Sequence, residues 1–175
     1  KPIIKNRRKK SELLAQVPYL RRFAISLLSD TDAADDLVQD CISRALSKLD
    51  QFRDGTNMRA WLFTILHNLN VEQGRRRNRA AAEIISISGD ETPNIAPPTQ
   101  EIGLTVRDLY RAMDQLEDEH RQIILMIGVG ELSYKQTAEI LGIPVGTVMS
   151  RLARGRERLR ILMAQGATPA LRRVK

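Results

Sequence analysis

The sequence predicts an all-α protein of two small helical domains joined by a flexible linker, the second domain carrying a helix-turn-helix. Three observations predict it. Apolar residues recur at helical spacing over most of the chain, residues 81–103 interrupt that period with Pro93, Pro97 and Pro98, and two late helix signals meet at a tight Gly142-Ile143-Pro144 corner. The expected layout is a basic tail at 1–10, a first domain at 11–80, the linker at 81–103, a second domain at 104–165 and a tail at 166–175.

Each element has its own reason. Lys1, Lys5, Arg7, Arg8, Lys9 and Lys10 make the start basic. Residues 11–28 place Leu13, Leu14, Val17, Leu20, Phe23, Ala24, Leu27 and Leu28 on a wide helical stripe. Ser29-Asp30-Thr31-Asp32 breaks that helix and caps the next, whose first turns are acidic where the helix dipole favours carboxylates. Leu37, Val38, Cys41, Ile42, Ala45, Leu46 and Leu49 form its apolar face. An Asp-Gly step and polar content make residues 51–57 a loop. Residues 58–73 are a strong helix that runs into the basic segment Gly74-Arg75-Arg76-Arg77-Asn78-Arg79. The linker has no amphipathic period; fully extended, its 23 residues span up to roughly 75 Å. Helices resume at 104–116 and 118–129.

The last segment carries the most information. Ser133 and Gln136 stand at capping-box spacing, Ala138, Ile140 and Leu141 supply an apolar face, and Gly142 suits a left-handed helix end. Beyond the corner Val145, Val148, Leu152 and Leu159 keep helical spacing, while Arg151, Arg154, Arg156, Arg158 and Arg160 are opposed by Glu157 alone. That is the layout of a helix whose exposed side enters a major groove. The net charge of +7 and pI near 10.0 favour a polyanionic partner. Membrane insertion is not expected, because no apolar run approaches the ~18 residues a spanning helix needs. One cysteine and no signal-peptide pattern suit a reducing interior, so the expected location is cytoplasmic. His67, His120 and Cys41 are scattered, and nucleotide-binding or hydrolase motifs are missing, so neither enzyme chemistry nor a cofactor is expected.

Several signatures then occur in one order: DAADDLVQDCISRAL, FRDGTNMRAWLFTILHN, LEDEHRQIILM and ELSYKQTAEILGIPVGTVMSRLARGRERL. Together they resemble the bacterial RNA polymerase sigma factors of the extracytoplasmic-function (ECF) group. The GTNMRAWLFTIL run is similar to general-stress members, whose anti-sigma factor is released by a sigma-mimicking response regulator. The resemblance implies a first domain that holds core polymerase and opens promoter DNA at the −10 element. It implies a second domain that reads the −35 element, and an anti-sigma factor that covers the polymerase-binding faces. About 17 base pairs between elements is roughly 58 Å, within the linker's reach. A stand-alone helix-turn-helix regulator is the rival from another class, and a nonspecific nucleoid or RNA-binding protein is a third.

Site residues follow from the same resemblance. Asp35, Asp36, Gln39 and Asp40 are implied to dock on the clamp helices of polymerase; dipole complementarity alone accounts for the first two. The loop with Phe52, Asp54, Gly55, Thr56 and Asn57 is either a pocket for a flipped base, Phe52 stacking on it, or a plain turn capped by Asn57. Trp61 could stack on single-stranded bases but also suits a core, and Asn68, Arg75, Arg76, Arg77 and Arg79 suit a duplex and its phosphates. For the upstream element the matching positions are Met149, Ser150, Ala153, Arg154 and Arg156, with Arg154 the foremost base contact. Many family members carry a long cation where this chain has Met149. Arg151 suits phosphates or salt bridges, Gly146 and Thr147 put helix-start amides near a phosphate, and Tyr134 and Lys135 suit the backbone.

Overall fold

The computed structural model describes residues 2–84 and 104–166, and among them all regular structure is helical. Two compact units divide the chain, at Lys1–Ala96 and Pro97–Lys175. Residues 85–103 of the expected linker and 167–175 of the expected C-terminal tail lie outside the described residues. No described helix is long and apolar enough to cross a membrane.

The first unit packs α1 (Pro2–Leu28), α2 (Thr31–Ser47) and α3 (Met58–Ile84) against one another, with a 3₁₀ turn at Leu49–Gln51 after α2. Two helices exceed the expected bounds. α1 takes in most of the segment expected to be a tail, and α3 runs through Gly74 and the arginines rather than ending there. Apolar periodicity marks only the buried stripe, whereas Lys and Arg favour solvated helical turns, and one glycine costs a helix only about 1 kcal/mol. The break between α1 and α2 is as expected: Ser29 adopts φ 54, and Asp30 Oδ1 accepts from the amides of Asp32 and Ala33 at 2.9 and 3.1 Å.

Leu13, Leu20, Phe23, Leu37, Cys41, Leu62, Phe63 and Leu66 are fully buried in this unit. Phe23 and Phe63 meet edge to face, centroids 5.0 Å apart at 72°. Cys41 Sγ lies 3.5 Å from the Leu62 carbonyl oxygen, and burial pushes its thiol up to about 12, so it stays a neutral core group. Leu14 and Leu46, counted on apolar faces by spacing, are instead 61% and 43% exposed. The buried arc of each helix is narrower than its apolar one.

The second unit contains α4 (Leu104–Asp114), α5 (Asp118–Gly128), α6 (Tyr134–Leu141) and α7 (Val145–Gly166). α4, α5 and α6 all pack on α7. The capping box forms: Gln136 N–H donates to Ser133 Oγ at 3.2 Å, and Ser133 N–H donates to Gln136 Oε1 at 2.9 Å. Gly142 ends α6 at φ 65, and the Ile143 amide returns to the Ala138 carbonyl at 3.1 Å. Ile123, Ala138, Val148 and Leu152 form the core beneath the turn, flanked by Ile124, Ile127, Leu141 and Ile143. Val145, expected to be apolar and inward, is 40% exposed at the first turn of α7.

Candidate nucleic-acid and partner interfaces

In the second unit, burial divides α7 into two faces. Val148, Leu152 and Gly155 turn inward, while Met149, Ser150, Ala153, Arg154 and Arg156 are all exposed. The spacing of 3.6 residues per turn makes this division a consequence of packing Val148 and Leu152. Among the described residues, no ion pair engages Arg154, Arg156 or Arg158, so their charge is available to a polyanion. Arg154 Nε makes one long contact, 3.4 Å, with the Ser150 carbonyl of its own helix.

Arg151 differs. Its guanidinium pairs with Glu119 of α5 at 2.8 Å, so it braces α7 on the supporting helix rather than standing free for DNA. Arg160 is likewise engaged, by Glu157 at 2.7 Å, and its hydrogen bonds hold that carboxyl below the ordinary range. Gly146 is exposed and Thr147 half-buried at the start of α7, with Ser150 Oγ donating to the Thr147 carbonyl at 3.1 Å. Tyr134 and Lys135 are exposed at the start of α6. All the positions expected for the upstream element therefore lie on α6 and α7, with Arg151 set apart by its partner.

In the first unit the helical wheel sorts α3. Trp61, Asn68 and Arg75 recur every seven residues, which drifts only about 20° per step on a straight helix, and Arg79 returns to the same line. From Trp61 to Arg79 this stripe covers roughly 27 Å at 1.5 Å per residue. Asn68, Arg75, Arg76, Arg77 and Arg79 are all exposed, but Arg77 points from the opposite side of the helix. Arg76 is drawn to Glu72 at 2.7 Å. Spacing within the run of arginines separates them only once the helix is known to continue past Gly74. Burial depresses the basicity of His67, so that side chain adds no charge near neutral pH.

The loop before α3 departs from one expectation. Phe52 is 5% exposed, its ring 5.2 Å from that of Trp61 at 50°, so it packs as the wall behind the loop instead of standing open at its surface. Trp61 is correspondingly half-buried. Asp54, Gly55, Thr56 and Asn57 are exposed; Gly55 has φ 84, Thr56 Oγ donates to the Arg53 carbonyl at 2.7 Å, and Asn57 Oδ1 caps α3 through the Ala60 amide at 3.1 Å. The cap engages one side of the Asn57 amide and leaves its NH₂ group outside that bond. Lys9 of α1, a residue the spacing of motifs did not single out for this loop, donates to the Phe52 carbonyl at 2.7 Å.

On α2, Asp36, Gln39 and Asp40 share an exposed face. Asp35 sits to one side, clamped by Arg21 of α1 at 2.6 and 3.1 Å, and that hydrogen-bonded guanidinium holds its carboxyl below the usual range. Gln73 of α3 donates to Asp40 at 3.3 Å, leaving the second carboxylate oxygen outside that contact.

Comparisons with known proteins find matches for segments of both units. Residues 13–67 match the model described as the Sigma2 domain of PhyR, and residues 107–159 match Sigma-70, region 4. The chain is 39% identical over 155 residues to the ECF RNA polymerase sigma factor EcfG of Rhodopseudomonas palustris (strain TIE-1), covering 88% of this chain and 84% of that one. It is 28% identical over 144 residues to the ECF RNA polymerase sigma factor SigW of Bacillus subtilis (strain 168), covering 77% of each. Among solved structures, the sigma factor RpoE of Bartonella quintana, in complex with the anti-sigma factor NepR, aligns at a TM-score of 0.77 and 40% identity, over 89% of this chain and 96% of that one.

Proposed function

This chain belongs to the ECF group of RNA polymerase sigma factors, and from that membership we propose how its two units divide the work. It associates with core RNA polymerase and directs it to promoters; the chemistry of RNA synthesis belongs to the polymerase, and the chain is no enzyme itself. The first unit holds polymerase through Asp36, Gln39 and Asp40 on α2, with Asp35 and Arg21 fixing that helix on α1. Asp54, Gly55, Thr56 and Asn57 receive a base of the −10 element, and Trp61, Asn68, Arg75 and Arg79 track the adjoining strand and phosphates. The second unit reads the −35 element with Met149, Ser150, Ala153, Arg154 and Arg156, while Tyr134, Lys135, Gly146 and Thr147 hold the DNA backbone.

The observation that carries this reading is the 39% identity to a named ECF sigma factor across both units, since a stand-alone regulator would share only the helix-turn-helix. The work is cytoplasmic, where polymerase and promoters are. The likeness to a sigma factor solved with NepR supports an anti-sigma factor of that kind as the regulator of this chain. It also supports a general-stress role, in line with the match of the first unit to the sigma-like domain of PhyR.

Purified chain, core polymerase and a randomised promoter library test the division. Arg154→Ala should flatten preference in the upstream element, by about 1–3 kcal/mol at one base pair, and leave polymerase affinity alone. Reversing Asp36 and Asp40 to lysine should weaken holoenzyme assembly on the order of tenfold or more, with promoter preference of the surviving complexes intact. Identical promoter profiles for Arg154→Ala and the parent chain would remove Arg154 from its role.

A further inference from the structure

We propose that Lys9 is a positioning residue for promoter selection: by tying the Phe52 backbone and the Asp54 carboxylate to α1, it holds the loop before α3 in the shape that receives a base. The proposal rests on the reading of that loop given above.

From within, the loop is held by the Thr56 hydroxyl, which donates to the Arg53 carbonyl at 2.7 Å. Arg53, Asp54, Gly55, Thr56 and Asn57 are all exposed, and nothing lies within 4 Å of where a Cβ on Gly55 would stand. Its far end is fixed by the Asn57 cap and by Met58, which is 2% exposed. Its near end depends on Phe52, and there the anchor comes from another helix. The Lys9 ammonium donates to the Phe52 carbonyl at 2.7 Å, lies 3.3 Å from Asp54 Oδ1, and stands 5.6 Å from the centroid of the Phe52 ring. With its side chain 13% exposed, Lys9 is withdrawn from solvent into these contacts rather than forming part of a solvated basic surface.

Two consequences follow for a loop that meets DNA. A tethered loop does not have to be ordered when the base arrives, so binding energy is not lost to conformational entropy. The Asp54 carboxylate would repel phosphate if left alone, and the adjacent ammonium offsets its charge. Lys9 therefore acts on the base through the loop, without needing to touch DNA. The basic start of the chain thereby contains one residue of a different kind from its neighbours.

The test is transcription by full-length chain and core polymerase from promoters randomised across the −10 element, with Lys9→Met, Lys9→Gln and Asn57→Ser compared. Asn57→Ser keeps a capping oxygen while removing the amide NH₂. Lys9→Met should flatten preference about fivefold at the base position that Asn57→Ser disturbs, the size of a partly lost charge-assisted hydrogen bond. A uniform fall in yield with unchanged base preference would mean that Lys9 only supports the fold, and would overturn the proposal. Should Lys9→Met melt below the assay temperature, Lys9→Gln takes its place: it removes the charge facing Asp54 while keeping a donor, and should flatten the same position by a smaller factor. If Asn57→Ser changes preference and the Lys9 variants do not, Lys9 alone loses its role. If neither changes it, the loop itself is not the base receptor.

Discussion

Phe63→Ala is expected to unfold the first unit at temperatures where the parent chain is intact. The ring has no solvent exposure and packs edge to face on Phe23, joining α3 to α1. Truncation removes its buried area and leaves a cavity that the packed helices cannot fully close, a loss of about 3–5 kcal/mol. Small domains have about 5–15 kcal/mol in total, so the loss consumes much of the margin. The melting temperature of that unit should fall by roughly 12 °C or more. Hydrogen exchange on the full chain is the measurement that resolves it: amides of α2 and the buried part of α3 should lose protection, while those of α5 and α7 keep theirs. On the proposed division of work, α2 carries the polymerase-binding face and α3 the Asn68 stripe for DNA, so polymerase binding and −10 recognition should both fall with the fold. A loss under about 1 kcal/mol would show that the pair of rings does not anchor the unit.

Gly155→Leu should do comparable damage to the second unit for the opposite reason, too much volume instead of too little. A Cβ at Gly155 would stand 3.0 Å from Ile124 Cδ1 and 3.1 Å from His120 Cβ. The first neighbour is the end of a flexible side chain and can turn aside. The second is the root of a side chain on α5 and moves only with its helix. Leucine would therefore lift α7 from α5 at a cost of about 1–3 kcal/mol or more, and strain the Arg151–Glu119 pair in the same interface. Gly155→Ala is the control. It needs a shift of only tenths of an ångström and gains about 1 kcal/mol in helix propensity, so it should be near neutral. Melting of the unit and binding to an upstream-element duplex check both variants. Equal stability of the leucine variant would mean that the two helices do not approach closely at this point.

Both predictions concern residues whose importance sequence patterns conceal. Phe63 belongs to an apolar run shared with Trp61 and Leu62, and nothing local says which aromatic ring goes inside. The structure buries Phe63 fully and leaves Trp61 halfway, against Phe52. Gly155 sits between two arginines' positions on a basic helix, where a glycine reads as a defect until the crossing with α5 is known. The same holds for charge. Arg151 and Arg154 look alike in sequence, yet one is spoken for by Glu119 and the other is not.

What the sequence determined by itself were the features governed by neighbours three or four residues apart: the helical class, the cap before α2, the Ser133–Gln136 capping box, the left-handed Gly142 and the central inward residues of α2 and α7, Leu46 and Val145 excepted. These depend on backbone hydrogen bonds and side-chain spacing within one helix turn, so a linear reading contains all the necessary partners. Only the tertiary structure decided that Arg21 clamps Asp35, that Arg151 leaves the free cations, that Phe52 turns its ring away from solvent and that Lys9 reaches it. Each of those depends on which helices pack together and at what distance, and a contact across 43 residues leaves no periodic trace in the chain that makes it.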